Sequence, residues 1–471
     1  MKISKVFNRY FFILFLICFV MLLCAETVNW INKVFHRVNF DEIALVISAG
    51  PGGIDMGLFW SFFRRVIFRA FGWSVVLALI GELRVKYIRL IIGVFAVSFL
   101  IYRVARANIE TGSFFGGAIS DFYETHYVAP ENVKITFPEK HNVLVIALES
   151  LEKIYDNHDM FGETGLIPNI TKLEKQNISF EKYHALSGLT HTIAAITGFA
   201  TGLPLFYSGY KGVKKMTGVK TGIGTIFKNN GYETYSIFPA SGRFSLKTDF
   251  LERMGFDTIY DGIKLDKMSN VELQEKPFDG VDDATLFELS KPIITDIVKS
   301  GKPYFLFMET INTHCRGYFT QACRDMGFPQ NNMEDIARCE DKLIYDFVVW
   351  FMKTDPKAVV ILLDDHNQHS GSLARKLAHI PDRPLSNVFI NARALRGADV
   401  NRPVSAMDMF PTIVESAGGV IDGCRLGLGT SLSKRCAGVK TLREMFAPDE
   451  LNGKMEQSNN LYYELATGVK R

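Results

Sequence analysis

The sequence shows no excess of charge of either sign, no internal repeat and no low-complexity tract. Its 471 residues carry 53 Lys and Arg against 50 Asp and Glu, which leaves a formal net charge of +3. Nucleic-acid-binding proteins usually carry clustered basic charge, so this balance argues against a nucleic-acid partner. Without repeats, a chain of this length is expected to form more than one ordinary compact unit.

Cysteine is scarce, with seven residues in the whole chain. Two of them, Cys18 and Cys24, fall in an apolar N-terminal segment, and the others are Cys315, Cys323, Cys339, Cys424 and Cys436. The last two flank a glycine-rich loop that a disulfide could close. Cys323 and Cys339 could close another loop, which would leave Cys315 over. These pairings are hypotheses, and they are consistent with an oxidising compartment.

Long apolar runs are concentrated near the N-terminus. The chain is 48% hydrophobic and contains 38 Phe, which is high for a wholly soluble protein. Uncharged or nearly uncharged stretches cover about residues 11–25, 66–81 and 90–102. The first lacks a convincing signal-peptidase cleavage site, so we expect it to stay as a membrane anchor.

A basic loop between the second and third apolar runs predicts the topology. Arg84, Lys86 and Arg89 lie in this loop, and the positive-inside rule places such a loop in the cytoplasm. Three spans would then deliver everything after about residue 106 to the outer side, with residues 40–57 as an external loop. The second span is the weakest prediction, because three arginines crowd one end of it and an interfacial turn would also accommodate them.

The composition divides the chain into three regions. Residues 1–105 are predicted to form a transmembrane region of about three helices, and residues 106–140 a turn-rich linker with some local structure. Residues 141–471 are predicted to form one extracytoplasmic catalytic domain. This last region is long enough to bury a large core.

The stretch around residue 149 organises this predicted domain. Residues 143–148 form an apolar run without polar alternation, which is typical of a parallel strand buried on both faces, and the run stops at Glu149. Strands are also predicted at 234–238, 303–308, 358–363 and 387–391, and helices at 282–299 and 333–354. Strands alternating with helices predict an α/β fold, a mostly parallel sheet flanked by helices.

A second predicted strand also ends in acids. The run ILLDDH leads from apolar residues into Asp364, Asp365 and His366. Parallel strands share their carboxyl-terminal edge, where ligands usually bind, so Glu149 is expected near Asp365 and His366. Carboxylate oxygens and imidazole suit a divalent cation. The alternatives are a glutamate that caps a helix and an acidic capping cluster.

Two further polar residues follow predicted elements. Thr192 stands where a polar turn leads into a short helical stretch, and its hydroxyl would meet the positive end of that helix, where phosphate is stabilised. The alternative is an N-cap threonine. His314 follows the strand PYFLFM and would be a general acid or a phosphate contact. A lone histidine is more often structural.

Four segments in order, NVLVIALES, THTIAAITGFATGLPL, INTHCRGYF and ILLDDH, resemble the alkaline-phosphatase and sulfatase superfamily. Within it they are similar to membrane-bound phosphoglycerol transferases, which include lipoteichoic acid synthases and the enzymes that decorate periplasmic glucans. The resemblance covers about residues 120–440. No CxPxR or SxPxR stretch supplies the formylglycine nucleophile of sulfatases, and the segments LES and LTHT depart from the usual phosphoethanolamine transferase pattern.

The resemblance implies roles for seven residues. Thr192 would be nucleophile and metal ligand, His314 a catalytic and substrate-binding histidine, and Lys247 and Arg243 substrate contacts, with Glu149, Asp365 and His366 as the other metal ligands. Lys247 fits the family's basic position best, but a lysine replaces the usual arginine there. One divalent ion is implied, with Mn²⁺ favoured over Mg²⁺ or Zn²⁺.

The resemblance also implies a reaction and a location. Phosphoglycerol would move from phosphatidylglycerol, through a phosphothreonine, to a hydroxyl of an extracytoplasmic glycan. The protein would be an integral protein of the bacterial cytoplasmic (inner) membrane with a periplasmic catalytic domain. Alternatives are phosphoethanolamine transfer, phosphodiester hydrolysis, or a catalytically silent, membrane-anchored glycan-binding protein. The acceptor glycan and the oligomeric state are left open.

Overall fold

The chain divides into two compact units. The first holds the N-terminal helices up to residue 110, and the second holds almost all of the remainder. The predicted external loop at residues 40–57 and Cys315 lie outside the described residues. The computed structural model describes residues 9–34, 38–39, 60–83, 85–105, 109–110, 120–206, 216–269, 276–314, 317–369, 371–380 and 382–470.

The first unit contains three apolar helices at the three predicted positions. They are α1 (Arg9–Val34), α2 (Phe68–Ile80, continuing a π-helical turn at Phe63–Ile67) and α3 (Ile88–Ala105). Two stretches, Arg9–Ile31 and Ile88–Ala105, are long and apolar enough to cross a membrane. The number of spans and their direction therefore stay predictions.

A six-stranded sheet forms the centre of the second unit. Its order is β6-β5-β1-β4-β2-β3, and all neighbours are parallel except β6, which runs antiparallel to β5. The five predicted strands are confirmed, and the short edge strand β3 was missed. The strands are β1 (Val143–Leu148), β2 (Glu233–Ile237), β3 (Thr258–Tyr260), β4 (Tyr304–Glu309), β5 (Val359–Asp364) and β6 (Asn387–Ile390).

The central strand β1 is buried along its whole length. Val145 pairs in register with Phe307 of β4 and Ile361 of β5, so three apolar side chains form one row. Val145 packs into the core on one face of the sheet, and its neighbours Leu144 and Ile146 pack into the core on the other. Each buried side chain of this size stabilises the fold by roughly 1.5–3 kcal/mol, which explains the absence of polar alternation.

Helices cover both faces of this sheet. The predicted helices at 282–299 and 333–354 are confirmed as α11 and α13, and the longer one, α13, packs Ile336, Ile344 and Phe347 against the sheet. The helices of the second unit are α4 (Phe122–His126), α5 (His158–Phe161), α6 (Pro168–Gln176), α7 (Thr192–Thr201), α8 (Ile223–Asn229), α9 (Lys247–Arg253), α10 (Gly262–Met268), α11 (Asp283–Lys299), α12 (Gln321–Asp325), α13 (Met333–Thr354), α14 (Gly371–Leu377), α15 (Ala406–Ser416), α16 (Leu442–Met445), α17 (Pro448–Glu456) and α18 (Asn460–Thr467).

The end of the predicted linker packs into the second unit. Tyr123 is fully buried, and its hydroxyl donates to the Met455 carbonyl at 2.9 Å. Residues Ile135–Thr136 pair with Val420–Ile421 as a small antiparallel ladder. From residue 120 the segment therefore belongs to this unit, because its aromatic side chains complete the core.

Both hypothesised disulfides are confirmed. Cys323 bonds to Cys339, which ties α12 to α13, and Cys424 bonds to Cys436 across the glycine-rich loop. Each closes a loop of fewer than twenty residues, with sequence separations of 16 and 12. Both bonds lie in the unit that the sequence places outside the cytoplasm.

Candidate active site

The acids that end β1 and β5 meet at one edge of the sheet. Leu148 pairs in register with Asp364, so the residues that follow, Glu149 and Asp365, leave the sheet side by side. The His366 Nε2 atom lies 3.5 Å from Glu149 Oε1 and 3.4 Å from Asp365 Oδ2. All three side chains are at most 3% exposed. The predicted neighbourhood of Glu149, Asp365 and His366 is therefore present.

Ser150, which was not predicted as a site residue, links these three groups. Its backbone N–H donates to Asp365 Oδ1 at 3.0 Å, its hydroxyl donates to Glu149 Oε1 at 2.8 Å, and the same hydroxyl lies 3.3 Å from His366 Nδ1. Its φ is +50°, a conformation that a serine adopts at some cost. The turn needs this conformation to aim both donors at the acids.

The group fits a divalent cation. One ligand atom from each of Glu149, Asp365 and His366 lies within 4.8 Å of the others. Burial, and then the Glu149 carboxylate, raise the pKa of Asp365 to about 6. A bound cation would favour the charged form of both carboxylates and so oppose this rise. Asp365 Oδ2 is buried and accepts no hydrogen bond from any residue that the structure describes. Two carboxylates and an imidazole are suitable ligands for Mn²⁺, Mg²⁺ or Zn²⁺.

Thr192 stands next to this cluster as the first residue of α7. Its hydroxyl donates to Glu149 Oε2 at 3.1 Å and lies 3.4 Å from His366 Nε2. His191, not Thr192, occupies the N-cap position, so the N-cap alternative for Thr192 is wrong. The partial positive charge of a helix start favours anions at this position.

A cleft of about 350 Å³ opens beside Thr192 and Glu149, and His314 lines it. The His314 ring meets the Phe278 ring edge to face, with centroids 4.8 Å apart, and the Phe244 ring lies 4.4 Å from Phe278. The structure thus brings His314, Thr192 and the acidic cluster together around one space. Its aromatic wall would exclude water from a bound ligand.

Strained backbone supports that wall. Ser245 and Leu246 have φ of +55° and +54°, and Phe278 and Asp279 have φ of +45° and +59°. Residues other than glycine rarely adopt such values, and they persist where the surroundings over-determine them, often at ligand sites. The two turns bring the Phe244 and Phe278 rings into contact, tilted by 32° to each other, and set Lys247 at the cleft.

Lys247 lines the cleft, but its ammonium group is paired with Glu309, a residue that was not predicted to belong to the site. Its Nζ donates to both carboxylate oxygens of Glu309, at 2.7 and 2.6 Å, and the two residues are 4% and 2% exposed. Burial raises the pKa of Glu309, and the Lys247 ammonium opposes this rise. A signal was available, because Glu309 ends an apolar strand just as Asp364 does.

Arg243, the other predicted substrate contact, is exposed and is not among the described residues that line the cleft. It precedes the strained turn that carries Phe244. The structure therefore does not bring Arg243 to the cluster around Thr192. The substrate contact predicted for Arg243 was inferred from the same segment as that of Lys247. Of these two basic residues, Lys247 is the one that is buried and lines the cleft.

Comparison with known proteins assigns the family. The sulfatase family model matches residues 141–420, more than half of the chain. The matched range includes the nucleophile candidate, the acidic cluster and all six strands of the sheet. The chain belongs to the sulfatase family.

Within the family, the chain is 27% identical over 328 residues to phosphoglycerol transferase I of Escherichia coli (strain K12 / MC4100 / BW2952), a match that covers 66% of this chain. The matched part spans 41% of the length of that relative. Among solved structures, the integral membrane protein lipooligosaccharide phosphoethanolamine transferase A of Neisseria meningitidis shares the fold, with a TM-score of 0.52, 14% identity and coverage of 85% of this chain and 83% of that one. The lipoteichoic acid synthase LtaP of Listeria monocytogenes aligns with a TM-score of 0.48 and 16% identity, over 64% of this chain and 79% of that one.

Proposed function

We propose that this protein transfers phosphoglycerol from phosphatidylglycerol to a hydroxyl of an extracytoplasmic glycan, through a phosphothreonine at Thr192. The observation that carries the proposal is the position of Thr192. Its hydroxyl bonds to a carboxylate of the candidate metal-binding cluster, at a helix start, on the edge of the cleft. The similarity to phosphoglycerol transferase I supports phosphoglycerol as the transferred group.

In the first half-reaction the Thr192 oxygen attacks phosphorus. The new Oγ1–P bond forms as the bond from phosphorus to the diacylglycerol oxygen breaks, and the hydroxyl proton leaves along its hydrogen bond towards Glu149. The departing diacylglycerol oxygen takes a proton, which His314 supplies from the cleft wall. Covalent catalysis of this kind divides one difficult displacement into two easier ones.

In the second half-reaction a glycan hydroxyl attacks the phosphothreonine. The acceptor O–P bond forms and the Oγ1–P bond breaks. The acceptor's proton passes to His314, and Thr192 regains the proton that Glu149 took in the first half-reaction, which restores both residues. A divalent cation held by Glu149, Asp365 and His366 would lower the pKa of the threonine hydroxyl and neutralise charge on the phosphoryl oxygens. The N-terminus of α7 adds its partial positive charge to the same oxygens.

The membrane and the compartment are part of the same proposal. Two N-terminal helices of sufficient length and apolarity would hold the catalytic unit near a lipid donor. Two disulfides in the catalytic unit suit the periplasm. We therefore propose an inner-membrane protein whose catalytic unit faces the periplasm.

Phosphoethanolamine transfer is the second candidate. Glu309 provides a carboxylate at the cleft, and Phe244 and Phe278 provide aromatic faces. An ammonium head group would use both kinds of contact. Because Lys247 already neutralises Glu309, we rank this activity second.

The experiment that decides between them measures what becomes attached to Thr192. Purified full-length protein is incubated with each phospholipid in turn, without an acceptor, and the peptide containing Thr192 is weighed by mass spectrometry. We expect a phosphoglycerol adduct from phosphatidylglycerol together with one diacylglycerol per adduct. An ethanolamine-phosphate adduct would establish the second candidate instead, and an adduct on another residue would remove Thr192 from the mechanism.

A further inference from the structure

A buried ion pair forms part of the cleft wall. Lys247 and Glu309 both line the cleft that holds Thr192, and both are almost completely withdrawn from solvent. Taking two charges out of water is expensive, and an apolar pair of similar size is often equally stable. Stability alone therefore gives little reason for two opposite charges at this position.

The pair has hydrogen-bonding capacity beyond its own contact. An ammonium group has three N–H donors, and Lys247 directs two of them to Glu309 at 2.7 and 2.6 Å. The Phe238 ring, 5.1 Å from Nζ, covers the ammonium on one side. Each carboxylate oxygen of Glu309 accepts one bond from Lys247 and has a second lone pair. As a unit, the pair offers a donor and acceptors without net charge.

We propose that Glu309 and Lys247 together form a neutral specificity filter for the donor head group. This inference rests on the proposed function. A hydroxyl both donates and accepts, so a glycerol head group can bond to Glu309 and Lys247 at once. An ammonium can only donate, and any ammonium bonded to Glu309 would lie close to the positive charge of Lys247. The pair therefore selects an uncharged, hydroxyl-bearing head group, and Glu309 holds Lys247 in place for this contact.

The test compares two donors in the same enzyme. Full-length protein is reconstituted in phosphatidylcholine vesicles that contain either phosphatidylglycerol or phosphatidylethanolamine, and diacylglycerol release gives kcat/KM for each. Lys247→Gln leaves Glu309 without its counter-charge, so we expect the preference for phosphatidylglycerol over phosphatidylethanolamine to fall at least tenfold. Lys247→Arg keeps the ion pair and should keep the preference.

The double variant Lys247→Gln/Glu309→Gln separates charge from structure. It removes both charges and restores a neutral, hydrogen-bonding pair, so it should recover at least half of the lost preference on a logarithmic scale. A purely structural ion pair would show no such recovery. Should the single variant fail to fold, the double variant carries the test alone, and equal use of the two lipids by it would overturn the inference.

A matched control removes a similar ion pair elsewhere. Arg402 and Glu444 are joined at 2.7 Å, with Arg402 5% exposed, away from the residues that line the cleft. Glu444→Gln should leave the lipid preference unchanged. If Lys247→Gln also leaves it unchanged while phosphatidylglycerol is still consumed through Thr192, the inference fails and the proposed function stands. If the native protein forms no adduct at Thr192, the proposed function itself fails.

Discussion

Among the described residues of the second, catalytic unit, two groups of side chains have the composition of a metal site, and their surroundings differ. Glu149, Asp365 and His366 form one group, and Glu415, Cys424 and Cys436 form the other. In the second group the sulfurs are joined as a disulfide, and Glu415 accepts bonds from Ser431 at 2.7 Å, from the Ile421 N–H at 3.1 Å, and from Ser433 and Arg435.

In the first group the hydrogen bonds are incomplete. Ser150 and Thr192 donate to the two carboxylates, but Asp365 Oδ2 accepts no hydrogen bond within the described part of the chain, and burial followed by the Glu149 charge raises the pKa of Asp365. Buried negative charge must be matched by a counter-charge, a hydrogen bond or a proton. Closeness of possible ligand side chains therefore does not by itself indicate a metal site. A buried carboxylate oxygen without a hydrogen-bond donor is the stronger indication.

The largest expected effect is on Thr192, the proposed nucleophile beside the first group. Thr192→Ala should reduce diacylglycerol release from phosphatidylglycerol by at least about a thousandfold, because nucleophile removal usually costs this much or more. Thr197→Val, on the same helix but with its hydroxyl bonded to the Ile193 carbonyl, is the control and should keep activity. Near-native release by Thr192→Ala would show that another group attacks phosphorus.

Metal content distinguishes the two groups directly. Asp365→Asn should lose bound metal and activity together, as measured by elemental analysis after dialysis against a chelator and re-addition of Mn²⁺. Glu415→Gln should keep the metal and lose about 1–3 kcal/mol of unfolding free energy, because a carboxylate that accepts several bonds is replaced. Full metal occupancy in Asp365→Asn, or metal loss in Glu415→Gln, would reverse the assignment of the two groups.

The disulfide of the second group allows a sharper comparison. Cys424→Ala/Cys436→Ala should lower the unfolding free energy by about 2–3 kcal/mol, since a bond spanning 12 residues restricts the unfolded chain by about that amount. Chemical denaturation measures the change in unfolding free energy. Elemental analysis of the same sample should show unchanged metal content. A loss of metal would mean that these sulfurs contribute ligands.

Asp283 and Glu340 show a third way to bury acids, in which raised pKa values favour the protonated, uncharged form. Both are fully buried, and Asp283 accepts the backbone N–H groups of Ile311 and Asn312 at 2.8 and 2.6 Å, in the turn that leads to His314. Burial raises the pKa of Asp283 to about 8. Burial, and then Asp283, raise the pKa of Glu340 well above its usual range.

The sign of the pH dependence follows from these raised pKa values. The folded protein keeps a proton on Asp283 that the unfolded chain releases near its ordinary pKa of 3.8, so stability is lost as pH rises from about 4 to about 8. Asp283→Asn should flatten this decline by about 1 kcal/mol per pH unit in urea denaturation. Asp346→Asn on the exposed face of the same helix as Glu340 should not change it. An unaltered slope in Asp283→Asn would show that Asp283 does not retain a proton in the folded protein.

The elements that the sequence predicted are those with local signals. Apolar runs without alternation predicted β1 and β5, and the acids that end them predicted the position of Glu149 and Asp365. Thr192 was found because a polar turn precedes a helical stretch. In each case a few neighbouring residues contain the physical reason, which is burial on both faces or the opening of a helix.

The features that were missed depend on distant residues. Lys247 and Glu309 are 62 positions apart, and their pairing follows from how α9 packs beside β4. Ser150 combines a positive φ with a hydrogen bond to Asp365, which lies 215 positions away in the sequence. The short strand β3, three residues long, has too few residues to show a pattern. The roles of the site residues stay predictions until the variants are measured.

The spread of the active site along the chain has a consequence for biosynthesis. Thr192 is made 174 residues before His366, and no segment between them completes the cluster. A nascent chain therefore carries Thr192 and Glu149 without Asp365 and His366 until most of the catalytic unit has been made. On the proposed ligand set, metal binding and activity become possible only after β5 has been synthesised.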